Sequence, residues 1–397
     1  MRTPNSSAAT LCSLLLALGF VSSPMTSTIA KEQDSATKPA VDAPAAAPRI
    51  QLAILLDTSG SMQGLINQAR TQLWKIVNDL ALTKQNGKTP SLQVALYEYG
   101  KSSLPASEGY LQQIVPLSDN LDLISEKLFE LTTNGGSEYC GWVIGDAVDN
   151  LEWSQSNNDL KMIFIAGNEP FTQGPVDYRV ACKKAIERGI TVNCIHCGDE
   201  STGRQGKWAD GAALADGSFM NINHNDVQAE IATPYDKKLI ELGGSLNQTY
   251  VTFGDQDKQQ AFRARQSAQD SNAEKAAPSV GASRAATKGS SFYKNSNVDL
   301  IDARREGKVD LKKLSKKELP EELQKLSPEE LGEHLDKKEA ERKKIQVEIQ
   351  SLNKQRSEYL AKERAKEADS SAPVLEDAVG AAIRKQAAEK NFKYEKP

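Results

Sequence analysis

Asp57-Thr58-Ser59-Gly60-Ser61 sets one carboxylate and two hydroxyls at alternate positions of a short segment, directly after the apolar run Ile50–Leu56. Oxygen donors gathered on a tight loop make the hard-ligand cluster that Mg²⁺ or Ca²⁺ prefers. The chemistry that follows is cation binding, not bond breaking. Ser and Asp after a strand also serve as helix caps and turn residues, so these five residues alone leave both readings open. The run before them is what would position them. Its length, ended by a Gly/Ser turn, predicts a buried strand that delivers the oxygens to its carboxyl end.

Strand and helix patterns then alternate from Arg49 to about Gly254. Leu65, Ala69, Leu73, Ile76, Val77 and Leu80 recur at helical spacing, and 91–99 and 111–117 read as strands. A helix over 120–131, a Gly-rich loop at 133–138 and a second helix through Val143, Ile144, Ala147, Val148 and Leu151 follow. The strand 160–166, a helix over 176–188, the strand 190–197, a short strand at 218–222 and a helix over 236–247 complete the series. Such alternation predicts an α/β fold: a doubly wound, mostly parallel sheet with helices on both faces. Ligands of these sheets bind outside the carboxyl ends of strands, where the strand order reverses. Asp57 is at such an end.

The D-x-S-x-S pattern after an ILLD strand resembles the von Willebrand factor A domain and its metal-ion-dependent adhesion site. The resemblance covers about Ile50 to Gly254. It implies a cation held by three loops, with an open coordination position for a partner's carboxylate. Asp57, Ser59 and Ser61 match the first loop; Ser59 and Ser61 would ligate directly and Asp57 through water. Gly135-Gly136-Ser137 matches the second, with Ser137 where the family has Thr. The third loop is usually T-D-G, and here it reads Ile165-Ala166-Gly167-Asn168-Glu169-Pro170. Gly167 stands where the family has its second acid, which lowers the charge of the site and with it the expected affinity for Mg²⁺ or Ca²⁺. Asn168, Glu169 or Glu138 would substitute only by a different reach.

A narrower likeness lies in GGSEYCG, IFIAGNEPFTQGPVDY, IATPYD and LPEELQKLSPEEL, which are similar to an uncharacterised group of exported bacterial A-domain proteins. The same stretches imply that Cys140 and Cys197 sit on the domain's upper rim, where they would pair as a disulfide. From spacing alone the four cysteines after residue 30 (Cys140, Cys182, Cys194, Cys197) allow three pairings, or none. Cys194 and Cys197 lie three apart on a strand and so point to opposite faces, which argues against a shared metal or redox bond.

Composition bounds the rest. Net charge is −4 on 397 residues, close to balanced, which argues against a nucleic-acid binder. Arg2, the apolar core 11–21 and Thr28-Ile29-Ala30 read as a signal peptide over 1–30, or as an amino-terminal anchor if it is not cleaved. An Ala/Pro-rich linker follows over 31–48. The A domain spans 49–254, a flexible linker 255–291 and an irregular, partly helical stretch 292–326. Ser327-Pro328-Glu329-Glu330 is a strong helix start, opening a long charged helix over 327–368. Leu331, Leu335, Ile345, Ile349, Leu352 and Tyr359 make a coiled-coil-like stripe on it, interrupted by Lys338, Arg342 and Arg356. A short helix and tail occupy 369–397. The three histidines, His196, His224 and His334, fall in no catalytic signature, and His196 reads as a packing residue.

Two readings result. The first is an exported, non-enzymatic binding protein in the periplasm, cell envelope or medium, whose cation meets an acidic side chain on a protein partner. In this reading the long helix serves self-association or docking to an envelope complex. The second is a metal-free scaffold acting through that helix.

Overall fold

The computed structural model of the chain describes residues 47–222, 231–367 and 375–394. The stretch 1–30 read above as a signal peptide, the expected linker as far as residue 46, and His224 lie outside them. The first half of the described chain runs β1 (Arg49–Asp57), α1 (Gln63–Ala81), β2 (Thr83–Gln85), β3 (Ser91–Tyr99), β4 (Leu111–Ser118), α2 (Leu121–Glu130) and α3 (Cys140–Asn150). It continues through β5 (Leu160–Gly167), α4 (Tyr178–Glu187), β6 (Thr191–Cys197), α5 (Glu200–Gln205), α6 (Trp208–Leu214) and β7 (Phe219–Ile222). The two short helices α5 and α6 were not predicted from the sequence: α5 has no apolar face, and that of α6 is one short stripe, Trp208 and Ala212.

Six strands form one sheet in the order β4-β3-β1-β5-β6-β7, parallel except for β4 at the edge. Strand order therefore reverses between β1 and β5, as the doubly wound reading expected. The pleat sends alternate β1 residues to opposite faces. Leu52 and Leu56 join an apolar cluster with Leu73 and Val77 of α1, while Ala53 and Leu55 pack with Val143 and Ile144 of α3. Helix starts follow local chemistry. Asn120 caps α2 by accepting from the Leu123 amide at 3.0 Å, and Asp177 caps α4 by accepting from the Arg179 amide at 2.9 Å.

The second half corrects the sequence reading. The stretch 255–291 is not a flexible linker: it forms α8 (Gln256–Ala276) and α9 (Pro278–Lys288), after α7 (Asp236–Asn247). These helices are poor in large apolar residues and are buried through polar pairing instead. Arg284, 1% exposed, donates to Asp122 of α2 at 2.7 Å and to Asp270 of α8 at 2.6 Å, and its guanidinium lies 4.7 Å from the Trp74 ring of α1. Lys288 reaches Asp270 at 2.8 Å, the Gly243 carbonyl at 2.8 Å and Asn247 at 2.6 Å. Gln269 accepts from Ser125 of α2 at 2.7 Å. Ala273, Val280 and Phe292 join the same apolar cluster as β1 and α1. The helical half and the sheet thus belong to one compact unit.

Past α10 (Leu300–Arg305), the long helix α11 (Pro328–Glu367) starts where the sequence placed it. Ser327 and Glu330 exchange hydrogen bonds as a capping box, at 3.1 and 2.8 Å. Its stripe, however, does not form an open coiled-coil seam. Leu331 and Leu335 pack with Leu300 and Ile301, and Ile349 packs with Leu239 and Leu246. The interrupting arginines are anchors: Arg342 pairs with Asp299 at 2.8 Å and Arg356 with Asp236 at 2.7 Å. Self-association through this stripe therefore loses its surface, since the chain itself covers it. Finally α12 (Leu375–Glu389) rests on α1, and β8 (Phe392–Tyr394) pairs antiparallel with β2. Among the described residues, no helix is long and apolar enough to cross a membrane.

Removing one partner of a buried charge network strands the others. Arg284→Ala is expected to cost about 3–5 kcal/mol in denaturant unfolding, whereas Arg304→Ala, whose partners Asp336 and Glu339 are partly exposed, should cost under about 1 kcal/mol. Equal losses would show that the Arg284 network does not hold the two halves together.

Candidate functional site

Asp57 ends β1, opposite Tyr99 of β3 in register and beside Gly167 of β5. The loop after it turns at once: the Thr58 amide donates to the Tyr99 carbonyl at 2.8 Å and the Met62 amide to the Ser59 carbonyl at 3.1 Å. Asp57 is fully buried, Ser59 is 5% exposed and Ser61 is exposed. Asp57 Oδ1 accepts from the Ser59 amide at 2.7 Å, while Oδ2, equally buried, has no hydrogen-bond partner.

The second loop is fastened to the first. The Asn134 amide donates to the Thr58 carbonyl at 3.1 Å, and Asn134 Oδ1 accepts from both the amide and the hydroxyl of Ser102. Ser137 sits half-buried on this loop. The next residue, Glu138, is only 5% exposed, and its amide is held by Gln173 Oε1 at 2.5 Å. The third loop brings Asn168, whose amide group lies 3.4 Å from Ser61 Oγ and whose Oδ1 is buried without a partner.

Gly167 is explained by its neighbour. A Cβ there would lie 2.5 Å from the Tyr99 hydroxyl and 3.1 Å from Asp57 Oδ2. That hydroxyl donates to the Ala166 carbonyl at 3.0 Å, so it is fixed in place. A tyrosine thus fills the space in which a third-loop carboxylate would stand. Its role was missed in the sequence because residue 99 meets residue 167 only through the pairing of β3 and β5 on either side of β1.

Electrostatics follow from burial. It pushes the Asp57 carboxyl up to about 6, although hydrogen bonds from Ser59 pull it back. Glu138 rises to about 7, first by burial and then through the charges of Asp57 and Glu169. Among the described residues no ion pair involves Asp57, Glu138 or Glu169, and no three His, Cys, Asp or Glu side chains converge as a metal cluster. Oxygen donors here come from two carboxyls, hydroxyls and a side-chain amide.

The expected Cys140–Cys197 bridge is not formed. All four thiols are free and buried, and Cys140 packs in the cluster under α3 while Cys197 packs in the cluster on the sheet's other face. Cys194 and Cys197 do face opposite ways, as their spacing predicts. Burial raises every one of these thiols, Cys182 to about 12. His196 is 1% exposed, hydrogen-bonded to Asn221 at 2.9 Å and edge-on to Trp208, a packing residue as expected.

The strand order thus reverses beside the D-x-S-x-S loop of a mostly parallel α/β sheet. Residues 51–221 match the family model of the von Willebrand factor type A domain, and this part of the chain is such a domain. Domains of the family commonly mediate protein–protein interaction, often bind a divalent metal at this site and are generally non-enzymatic. No curated protein matches the chain. Among solved structures, proximal thread matrix protein 1 from the mussel byssus is 14% identical with a TM-score of 0.32, covering 45% of this chain and 43% of its own. The chain thus spans less than half the length of that protein, which has also been solved with a zinc-occupied MIDAS motif. BatB from Bacteroides thetaiotaomicron is 16% identical with a TM-score of 0.31, covering 44% of this chain and 90% of its own.

Two outcomes follow from this geometry. Gly167→Asp should destabilise the fold by about 2 kcal/mol or more, and Tyr99→Phe in the same chain should recover about half of that loss; strictly additive losses would show that the hydroxyl does not occupy the space. Both raised carboxyls bind protons more tightly folded than unfolded, so without divalent cation, stability falls as pH rises from about 4 to about 7. Asp57 alone accounts for about 3 kcal/mol of that fall, and Asp57→Asn should flatten the profile measured by denaturant unfolding at stepped pH.

Proposed function

We propose that this chain is an exported, non-enzymatic binding protein whose A domain holds a divalent cation, Mg²⁺ or Ca²⁺, and offers it to an acidic side chain on a protein partner. Asp57, Ser59, Ser61 and Ser137 are the residues assigned to the ion. The observation that carries the reading is Asp57 Oδ2, a fully buried carboxylate oxygen with no protein partner. A buried charge left unpaired is costly, and a cation at this point removes the cost. Asn168 Oδ1, buried and unpartnered on the facing loop, has the same need. The residues present therefore fit a hard divalent ion, which supplies a positive centre for the partner's carboxylate to complete.

Export rests on the sequence of 1–30, with its basic start, short apolar core and small residues at 28–30. In this reading a membrane contributes only if that segment stays attached, and nucleic acid has no part. The helical half acts as a buttress to the sheet, because its stripe is buried within the chain.

Titration of the chain lacking residues 1–30 with Mg²⁺, Ca²⁺ and Mn²⁺ tests the reading. We expect binding heat and a rise of several degrees in melting temperature at millimolar ion, both abolished by Asp57→Asn. Absence of heat and of any thermal shift with all three ions would remove the cation from the account.

A further inference from the structure

The acid missing from the third loop leaves a question of charge. One aspartate on the first loop is a weak attractor for a doubly charged ion, because the number of ligand charges is a main control of affinity. The third loop cannot supply the second charge. The space above Gly167 is taken by the Tyr99 hydroxyl, 2.5 Å from where a Cβ would stand.

The second loop brings a carboxylate to the same place. Above Gly100, at the end of β3, a Cβ would lie 2.9 Å from Asp57 Oδ1, 2.8 Å from Glu138 Cγ and 3.5 Å from Glu138 Oε1. Asp57 and Glu138 therefore flank one point from two different loops, and the bare backbone of Gly100, with φ of +84°, makes that approach feasible. Glu138 is 5% exposed, and no ion pair among the described residues includes it. Its main chain is held by the 2.5 Å hydrogen bond from its amide to Gln173 Oε1. Elsewhere among the described residues buried acids are matched by cations, Asp122 by Arg284 and Asp299 and Asp302 by Arg342, or, like Asp159, by two hydrogen-bond donors. Two carboxyls converging in a buried place without a cation repel each other, and the independent mark of a missing partner is the lone Asp57 Oδ2.

We infer that Glu138 is the second carboxylate ligand of the cation site, taking over from the second loop the charge that Gly167 cannot carry. The inference rests on the cation reading above and adds to it a ligand that the family pattern does not assign. The ion would then be held between Asp57 and Glu138, with the hydroxyls of Ser59, Ser61 and Ser137 contributing to its shell.

The test is calorimetric titration of Mg²⁺ and Mn²⁺ into the chain lacking residues 1–30, in wild-type, Glu138→Gln and Glu169→Gln forms, with a metal-free melting curve for each. Wild type should bind, Glu138→Gln at least about tenfold more weakly, and Glu169→Gln within about threefold of wild type. Metal-free Glu138→Gln should melt no lower than wild type, because the substitution removes repulsion from Asp57. Binding by Glu138→Gln within twofold of wild type, or an equal loss in both variants, overturns the inference and leaves the cation site standing on Asp57. If wild type binds neither ion, the cation reading falls and this inference with it. Should Glu138→Gln fail to fold, Glu138→Asp, which keeps the charge and shortens the reach, decides: an unchanged affinity overturns the assignment and a loss beyond about threefold supports it.

Discussion

The guanidinium of Arg284 touches Asp122 on one side and Asp270 on the other, stacked against the Trp74 ring, with almost no access to solvent. A charge in that position must keep its partners, because an unpaired buried ion costs far more than the pair contributes. Helices α8 and α9 are therefore bound to α1 and α2, and through them to one face of the sheet. Lys288, fully buried, extends the constraint to α7 through Gly243 and Asn247. Burial pushes its ammonium down to about 8, with Asp270 holding it up. Arg342 and Arg356 then tie α11 to the same assembly. What composition presents as a solvated second half is a block of helices fixed by charge.

The same physics acts with the opposite sign at the carboxyl edge of the sheet. There Asp57 and Glu138 are buried as acids without cations among the described residues, and both hold their protons well above the ordinary carboxylate range. One end of the domain has its charges neutralised from within. The other keeps two buried acids that no cation among the described residues neutralises.

Much of this was legible in the residues. Runs such as Ile50–Leu56 and Leu160–Ala166 mark buried parallel strands, since an apolar stretch of that length has no solvated face to satisfy. The first-loop oxygens, the absent third-loop acid and the capping box at Ser327 were equally readable. The helices α8 and α9 were not, because Gln, Ala, Ser, Lys and Arg signal solvent unless their partners are known. Those partners, Asp122 and Trp74, lie more than a hundred residues earlier. Tyr99 was hidden for a related reason: nothing local to it says that its hydroxyl faces Gly167. Arg342 and Arg356 were seen, but as defects in a stripe, where they prove to be its fastenings.

The short pairing of β2 with β8 closes the fold across the longest stretch of chain: Gln85 donates to the carbonyl of Lys390, 305 positions away. Closing so large a loop gives up entropy before any contact rewards it. The neighbouring α12 covers the flank of α1 through Val379, Ala382 and Ile383, so the first helix after β1 is completed by side chains from the far end of the described chain.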